Sequence, residues 1–162
     1  MIEIVNGNRN TQVKNEMRIE FLAISENEAF ARTAVAAFVS QLNPTLEEIS
    51  DIKTAVSEAV TNSIIHGYDG EDGENNMVWV SCLIKNDVLE VEIRDKGVGI
   101  EDVEKAMEPL FTTKPELDRS GMGFAFMEAF MDDLEVISEV GHGTTVRMVK
   151  KLGITSWIEG ED

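Results

Sequence analysis

Apolar and polar positions recur along most of this chain at regular spacings, and the spacings predict strands and helices in turn. An apolar position at every second residue from about Asn15 predicts a first strand. Ser25 precedes Glu28 by three residues, and Thr45 precedes Glu48 in the same way, so each pair predicts a capping box that opens a helix. The apolar residues at helical spacing are Ala29, Phe30, Thr33, Ala34, Ala37 and Phe38 in the first helix and Leu46, Ile49, Ile52, Val56, Ala59, Val60 and Ile64 in the second.

The second half of the chain contains four alternating runs, which predict two hairpins with helical segments between them. The strands are expected at residues 77–84, 88–94, 134–139 and 144–150, and the helices at residues 102–107 and 121–131. Because each strand meets a hairpin partner while the helices fall between the hairpins, the predicted fold is an α/β (α+β) two-layer sandwich. Its sheet is expected to be mixed and mainly antiparallel, with helices covering one face.

Length and composition are those of a single domain. The chain has 162 residues, 43% of them hydrophobic, which suffices for one packed core but not for two. The predicted domain spans residues 15–152. A polar leader, residues 1–14, precedes it, and a tail without periodicity, residues 153–162, follows it.

The excess of acidic over basic residues disfavours some classes of function. With 31 acidic and 14 basic residues the formal net charge is -17, which disfavours direct binding to nucleic acid or to a membrane. The single cysteine, Cys82, excludes a disulfide within the chain and fits a reducing cytoplasm. We find no stretch of about eighteen apolar residues, so neither a signal peptide nor a membrane span is predicted and a cytoplasmic protein is expected.

The second predicted helix carries Glu58 and Asn62, whose four-residue spacing puts both side chains on one face. A carboxylate there can accept a proton from an attacking hydroxyl, and an amide oxygen one turn away can bind Mg²⁺. Taken alone, such a pair is more often part of a solvated helix face.

Three glycine-containing segments add candidate chemistry. Asp95 ends a predicted strand and is followed by Gly97 and Gly99, an arrangement in which the backbone approaches a ligand closely and the carboxylate accepts a hydrogen bond from an amino group. Residues 119–124 lead into a helix whose free N–H groups favour a phosphate, and residues 141–144 join two strands. Each segment by itself also fits an ordinary turn or helix start.

In this order the four segments resemble the nucleotide-binding motifs of the Bergerat-fold (GHKL) superfamily, to which gyrase-type ATPases and sensor histidine kinases belong. Within that superfamily the chain is most similar, over roughly residues 15–151, to the serine kinases that act as anti-sigma factors in sporulation. The runs that carry this resemblance are residues 27–32, 56–62, 66–68, 109–117 and 119–124.

The resemblance implies a protein serine kinase that uses Mg²⁺ and binds ATP or ADP. In such a kinase Glu58 would be the general base for the substrate serine, Asn62 the Mg²⁺ ligand and Asp95 the acceptor for the adenine amino group. Arg119 would act at the phosphates during transfer. The further nucleotide contacts implied are Gly97, Gly99 and Thr144 around the base, Thr112, Thr113 and Lys114 in a lid, and Gly121, Met122 and Gly123 at the phosphates.

The resemblance also implies two protein partners, a sigma factor and an anti-anti-sigma protein that is the phosphorylated substrate. Arg32 matches an arginine at the contact with both, and a homodimer is expected. Two alternatives stay open: a general-stress-type anti-sigma kinase, and a non-catalytic module that uses ATP to hold a partner surface. The joint presence of Glu58, Asn62 and Arg119 favours an enzyme, because a module that never turns over needs no base.

Overall fold

The computed structural model describes residues 15–69, 73–109 and 122–153. The leader predicted for residues 1–14 lies outside the described residues, as does nearly all of the predicted tail. The elements, in chain order, are β1 (Asn15–Leu22), α1 (Glu26–Val39), α2 (Leu46–Asn62), β2 (Met77–Lys85), β3 (Val88–Asp95), α3 (Val103–Ala106), α4 (Gly123–Phe130), β4 (Asp133–Glu139) and β5 (Gly143–Lys151).

The five strands form one sheet in the order β1-β2-β3-β5-β4. All four pairings between these strands are antiparallel, so the sheet expected to be mixed and mainly antiparallel is antiparallel throughout the described residues. Both predicted hairpins are present, as β2 with β3 and β4 with β5. In β2 and β3 every second side chain is buried, as the two-residue period predicts. The buried residues are Val78, Val80, Cys82 and Ile84 in β2 and Leu89, Val91 and Ile93 in β3.

The start of α2 confirms the predicted capping box. The Glu48 backbone N–H donates to Thr45 Oγ1 at 3.1 Å, and the Thr45 N–H donates back to Glu48 Oε2 at 2.9 Å. The capping box predicted for α1 is wrong. Ser25 already has helical backbone angles and makes no side-chain capping bond, and the Glu28 carboxylate turns toward α2 instead.

The buried face of α1 also differs from the predicted apolar stripe. Ala31, Val35 and Val39 are fully buried against the rest of the core, whereas Phe30 is 54% exposed. Spacing alone could not separate two apolar stripes that lie side by side on an alanine-rich helix. In α2 the predicted stripe is confirmed from Ile52 onward, since Ile52, Val56, Ala59 and Val60 are buried, but its first member, Leu46, is 90% exposed.

One hydrophobic cluster joins the inner face of the sheet to the buried sides of α1, α2 and α4. Met127 and Met131 lie in it, as expected of methionines that fill a core. Cys82 is buried in the same cluster, and burial raises the pKa of its thiol to about 12. No helix among the described residues is long and apolar enough to span a bilayer.

Candidate functional site

A cavity of about 800 Å³ opens at one end of the sheet, between the end of α2, the loop after β3, α3 and the start of α4. A π-helical turn, Ser63–Gly67, extends α2 into its wall. The described residues that line the cavity are Ala59, Asn62, Ser63, His66, Gly67, Asp95, Gly99, Ile100, Glu101, Asp102, Val103, Glu104, Lys105, Ala106, Glu108, Gly123, Phe124, Ala125, Thr144 and Val146.

Asp95 is the buried acid of this cavity, with only 3% of its surface exposed. Its Oδ1 atom accepts hydrogen bonds from the Gly97 N–H at 2.9 Å and from the Thr144 N–H at 3.3 Å, and its carboxylate also accepts from the Ser63 side chain. Burial raises the pKa of Asp95, and these three donors act against that rise. The carboxylate is therefore a fixed hydrogen-bond acceptor with few competing waters.

The loop after Asp95 needs glycine at two positions. A Cβ atom on Gly97 would lie 1.9 Å from the carbonyl oxygen of Gly67, so any side chain would collide with the π-helical turn. Gly99 has a φ of +76°, in the left-handed region that other residues rarely adopt. The Val98 N–H donates to the Gly67 carbonyl at 2.8 Å, which fixes the loop against the end of α2.

Two residues that motif reasoning missed hold this part of the site together. The Tyr68 hydroxyl donates to the Met77 carbonyl at 2.6 Å and accepts from the Lys96 N–H at 2.9 Å, so it ties the loop to the start of β2. Ser138 Oγ lies 2.7 Å from Thr144 Oγ1 and accepts from the Ile100 N–H at 2.7 Å. Neither residue stands in a nucleotide motif, and both act through contacts distant in sequence.

Gly123, which also lines the cavity, brings the start of α4 against the predicted catalytic pair. A Cβ atom on Gly123 would lie 3.1 Å from both Glu58 Oε2 and Asn62 Nδ2. Glu58 and Asn62 therefore share one face of α2, as predicted, and face the N-terminus of α4. Met122 immediately precedes that helix.

Of the predicted nucleotide-site residues, five line the cavity: Asn62, Asp95, Gly99, Gly123 and Thr144. The other three described ones adjoin this lining, since Glu58 lies against Gly123, Gly97 donates to Asp95 and Met122 precedes Gly123. The predicted lid and phosphate residues Thr112, Thr113, Lys114, Arg119 and Gly121 lie outside the described residues. His66, in the π-helical turn that extends α2, also lines the cavity.

Arg32 lies away from this cavity, in a groove of about 520 Å³ between α1 and α2. Its Nη1 atom is 3.2 Å from Glu28 Oε1, and its side chain is 41% exposed. The described residues that line this groove are Arg32, Leu46, Ile49, Ser50, Lys53, Thr54 and Ser57. We refer to it below as the α1/α2 groove.

The fold and cavity agree with the family to which the sequence matches. The family model of the histidine kinase-like ATPase domain matches residues 22–150. A solved structure of the RsbU and RsbW domains of Rv1364c from Mycobacterium tuberculosis superimposes with a TM-score of 0.58 at 18% identity, covering 85% of this chain and 32% of that longer one. The chain is therefore a histidine kinase-like ATPase domain, a class that binds nucleotide.

Relatives of high sequence identity show to which family of this class the chain belongs. The anti-sigma F factor of Clostridium beijerinckii is 60% identical over 142 residues, which is 88% of this chain and 98% of the relative. The anti-sigma F factor of Oceanobacillus iheyensis is 57% identical over 140 residues, which is 86% of this chain and 94% of the relative. The chain belongs to the anti-sigma F factor family.

Proposed function

We propose that this protein sequesters a sporulation sigma factor and, with Mg-ATP, phosphorylates a serine of the anti-anti-sigma protein that antagonises it. The observation that carries the catalytic part is the layout of the cavity. A buried acceptor, Asp95, lines the cavity, and the Glu58 and Asn62 pair lies against Gly123 at the N-terminus of α4, which lines the same cavity. This layout suits a ligand with a base at one end and phosphates at the other.

The nucleotide would enter with its adenine toward Asp95. The buried carboxylate would accept a hydrogen bond from the adenine amino group, between Gly97, Gly99 and Thr144. The triphosphate would reach the N-terminus of α4 at Met122 and Gly123, where the positive end of the helix dipole favours an anion. The lid and phosphate contacts Thr112, Thr113, Lys114 and Gly121 complete this proposal by resemblance.

The residues at the phosphate end fit a Mg²⁺ ion that is bound together with the nucleotide. Mg²⁺ usually takes one or two protein oxygens and fills its remaining positions with phosphates and water. Asn62, which lines the cavity, would supply the amide oxygen. Among the described residues there is no cluster of three histidine, cysteine or acidic side chains, so a metal cage made of protein alone is not part of this proposal.

Transfer would proceed at the Glu58 end of the cavity. The substrate serine Oγ forms a bond to the γ-phosphorus while the bond from that phosphorus to the β,γ-bridging oxygen breaks and ADP leaves. The proton of the serine hydroxyl passes to the Glu58 carboxylate. Arg119 and Mg²⁺ would offset the charge that develops on the phosphoryl oxygens.

The partner contacts would lie outside the cavity, at Arg32 in the α1/α2 groove. The relatives named anti-sigma F factors support a sporulation sigma factor over a general-stress one. We include a homodimer in the proposal by resemblance, and we place the protein in the cytoplasm, where sigma factors act.

The alternative is a module that binds ATP only to hold its partner surface. The experiment that separates the two is incubation with ATP labelled at the γ-phosphate and with the anti-anti-sigma protein, using the unaltered protein, Glu58→Ala and Asp95→Asn. Label on a serine of the substrate with the unaltered protein, lost in Glu58→Ala although nucleotide still binds, supports the kinase. Tight ATP binding without transfer by the unaltered protein supports the module.

A further inference from the structure

Glu28 makes an unusual contact between the first two helices. It lies in the first turn of α1, and its Oε1 atom accepts a hydrogen bond from Arg32 Nη1 at 3.2 Å and a second one from Ser57 Oγ in α2. The Glu28 side chain is only 20% exposed, so this carboxylate is shielded from competing water. One oxygen atom thus joins an arginine of α1 to a serine of α2.

The contact bears on the proposed site because Ser57 is the neighbour of Glu58 in the sequence. Ser57 immediately precedes Glu58, so the turn of α2 that meets Glu28 also carries the proposed base. Ser57 and Arg32 both line the α1/α2 groove, whereas Glu58 lies against Gly123 at the cavity. Glu28 therefore contacts two residues of the groove, and the residue that follows one of them, Glu58, lies against the cavity lining at Gly123.

This contact replaces the capping box that the local sequence predicts for α1. The pattern of Ser25 and Glu28 predicts a capping box, yet Ser25 makes no side-chain capping bond and the Glu28 side chain reaches across to α2. Positions where a local preference yields to a contact distant in sequence are often functional ones. A carboxylate used only for the capping box would have accepted a hydrogen bond from the Ser25 backbone N–H.

We propose that Glu28 is a positioning residue that couples the α1/α2 groove to the phosphoryl-transfer end of the cavity. It holds the Arg32 guanidinium toward the groove and, through Ser57, fixes the turn of α2 that orients Glu58 toward the substrate hydroxyl. An acidic group of a partner that draws Arg32 away from Glu28 changes the charge around the oxygen that binds Ser57. This inference rests on the proposed roles of Glu58 and Arg32.

The test separates the two hydrogen bonds of Glu28. Ser57→Ala removes the bond to α2 and leaves Arg32 paired, while Glu28→Gln keeps an acceptor oxygen for Ser57 but removes the charge that holds Arg32. Matched controls are Ser40→Ala, an exposed serine that follows α1 and does not line the groove, and Glu47→Gln, an exposed glutamate in the first turn of α2. The measurements are kcat and KM for phosphorylation of the anti-anti-sigma protein, the affinity for the sigma factor, and the Tm of each variant.

Ser57→Ala is expected to lower kcat about tenfold, with KM for ATP and sigma affinity within about twofold, because the base is misplaced while both binding surfaces persist. Ser57→Thr, which keeps the hydroxyl, is expected to restore kcat. Glu28→Gln is expected to weaken sigma binding about tenfold, since a charged hydrogen bond to Arg32 is lost. Both control variants should match the unaltered protein.

Two failures are distinguishable. If the unaltered protein transfers no phosphate, or if Glu58→Ala transfers it normally, the proposed function itself is wrong. If the unaltered protein is active and Ser57→Ala has the same kcat, or loses kcat only in proportion to its folded fraction, the positioning role of Glu28 is refuted.

Discussion

At the scale of single residues, burying the Asp95 carboxylate costs stability, and the same burial suits its proposed role as acceptor for the adenine amino group. Its burial raises its pKa, so the folded chain holds this proton more tightly than the unfolded chain does. The stability that this group contributes is fully present below the unfolded pKa and is lost as the pH rises through the raised folded pKa. Wherever Asp95 is ionised in the folded protein, its charge is kept at a cost in stability, which is expected at a ligand site.

Asp95→Asn should remove that pH dependence, because an amide oxygen can still accept from Gly97 and Thr144 without carrying a charge. We expect the free energy of unfolding of the variant, relative to the unaltered protein, to increase as the pH rises above the ordinary pKa of an aspartate and through the raised pKa of Asp95. Urea unfolding of both proteins across this range measures the difference. Nucleotide affinity at neutral pH should fall about tenfold or more, because a charged acceptor is lost. A stability difference that stays flat or decreases with pH would contradict this account of the Asp95 pKa.

Tyr68 supports the same loop from the other side. Burial raises the pKa of its hydroxyl, which both donates and accepts a hydrogen bond. Tyr68→Phe should lose about 1 to 3 kcal/mol of stability and weaken nucleotide binding, because the loop that carries Asp95 is no longer tied to β2. Calorimetric titration with ADP and urea unfolding measure the two effects.

The control is Glu20→Ala, which removes the acceptor of the Trp79 Nε1–H bond on the exposed face of the sheet. That variant should leave ADP affinity unchanged. Equal ADP affinity in Tyr68→Phe and the unaltered protein would show that Tyr68 serves stability alone.

Among the elements, the starts of α1 and α2 offer a paired comparison. Both sequences contain a capping-box pattern, but only α2 forms the box. Thr45→Ala should cost about 1 kcal/mol, whereas Ser25→Ala should change the free energy of unfolding by less than about 0.5 kcal/mol. Chemical denaturation of the two variants is the measurement. A Ser25→Ala cost as large as that of Thr45→Ala would mean that Ser25 caps α1 in solution.

Most elements could be predicted because their periodicity is local. The two hairpins and the helix carrying Glu58 and Asn62 follow from spacing, and the motif order brought Asp95 to the same site as that pair. The face that α1 buries could not be predicted, since its alanines allow two stripes and tertiary packing chooses between them. The π-helical turn Ser63–Gly67 was also missed, because a local widening of a helix leaves no periodic signal.

The supporting residues of the site escaped prediction for a related reason. Tyr68 and Ser138 bind backbone groups that are distant in sequence, and such pairings are set by the fold. The same holds for Glu28, whose sequence pattern indicated the wrong partner. The resemblance to a known family pointed to the proposed nucleotide residues, but it did not point to the contacts that hold those residues in place.

In the molecule as a whole, Lys150 of β5 connects the two helices that flank the site. Its Nζ atom donates to the Phe130 carbonyl at the end of α4 at 2.6 Å and lies 3.8 Å from Asp51 Oδ2 in α2. The side chains of Lys150 and Asp51 are only 12% and 24% exposed. Removing one member of a shielded pair leaves the other without compensation, so this contact should matter more than a surface ion pair does.

Lys150→Met keeps the length of the side chain and removes its charge and its three donors. We expect it to lower the free energy of unfolding by about 2 kcal/mol, below the value for a fully buried pair because some exposure remains. Arg147→Met is the matched control on the same strand. Arg147 pairs with Glu90 and Glu135 on the exposed face, and exposed pairs contribute less than about 1 kcal/mol. If the two variants lost equal stability in urea, the link from β5 to α2 and α4 would be no stronger than a surface contact, and α4 would depend on its apolar side alone.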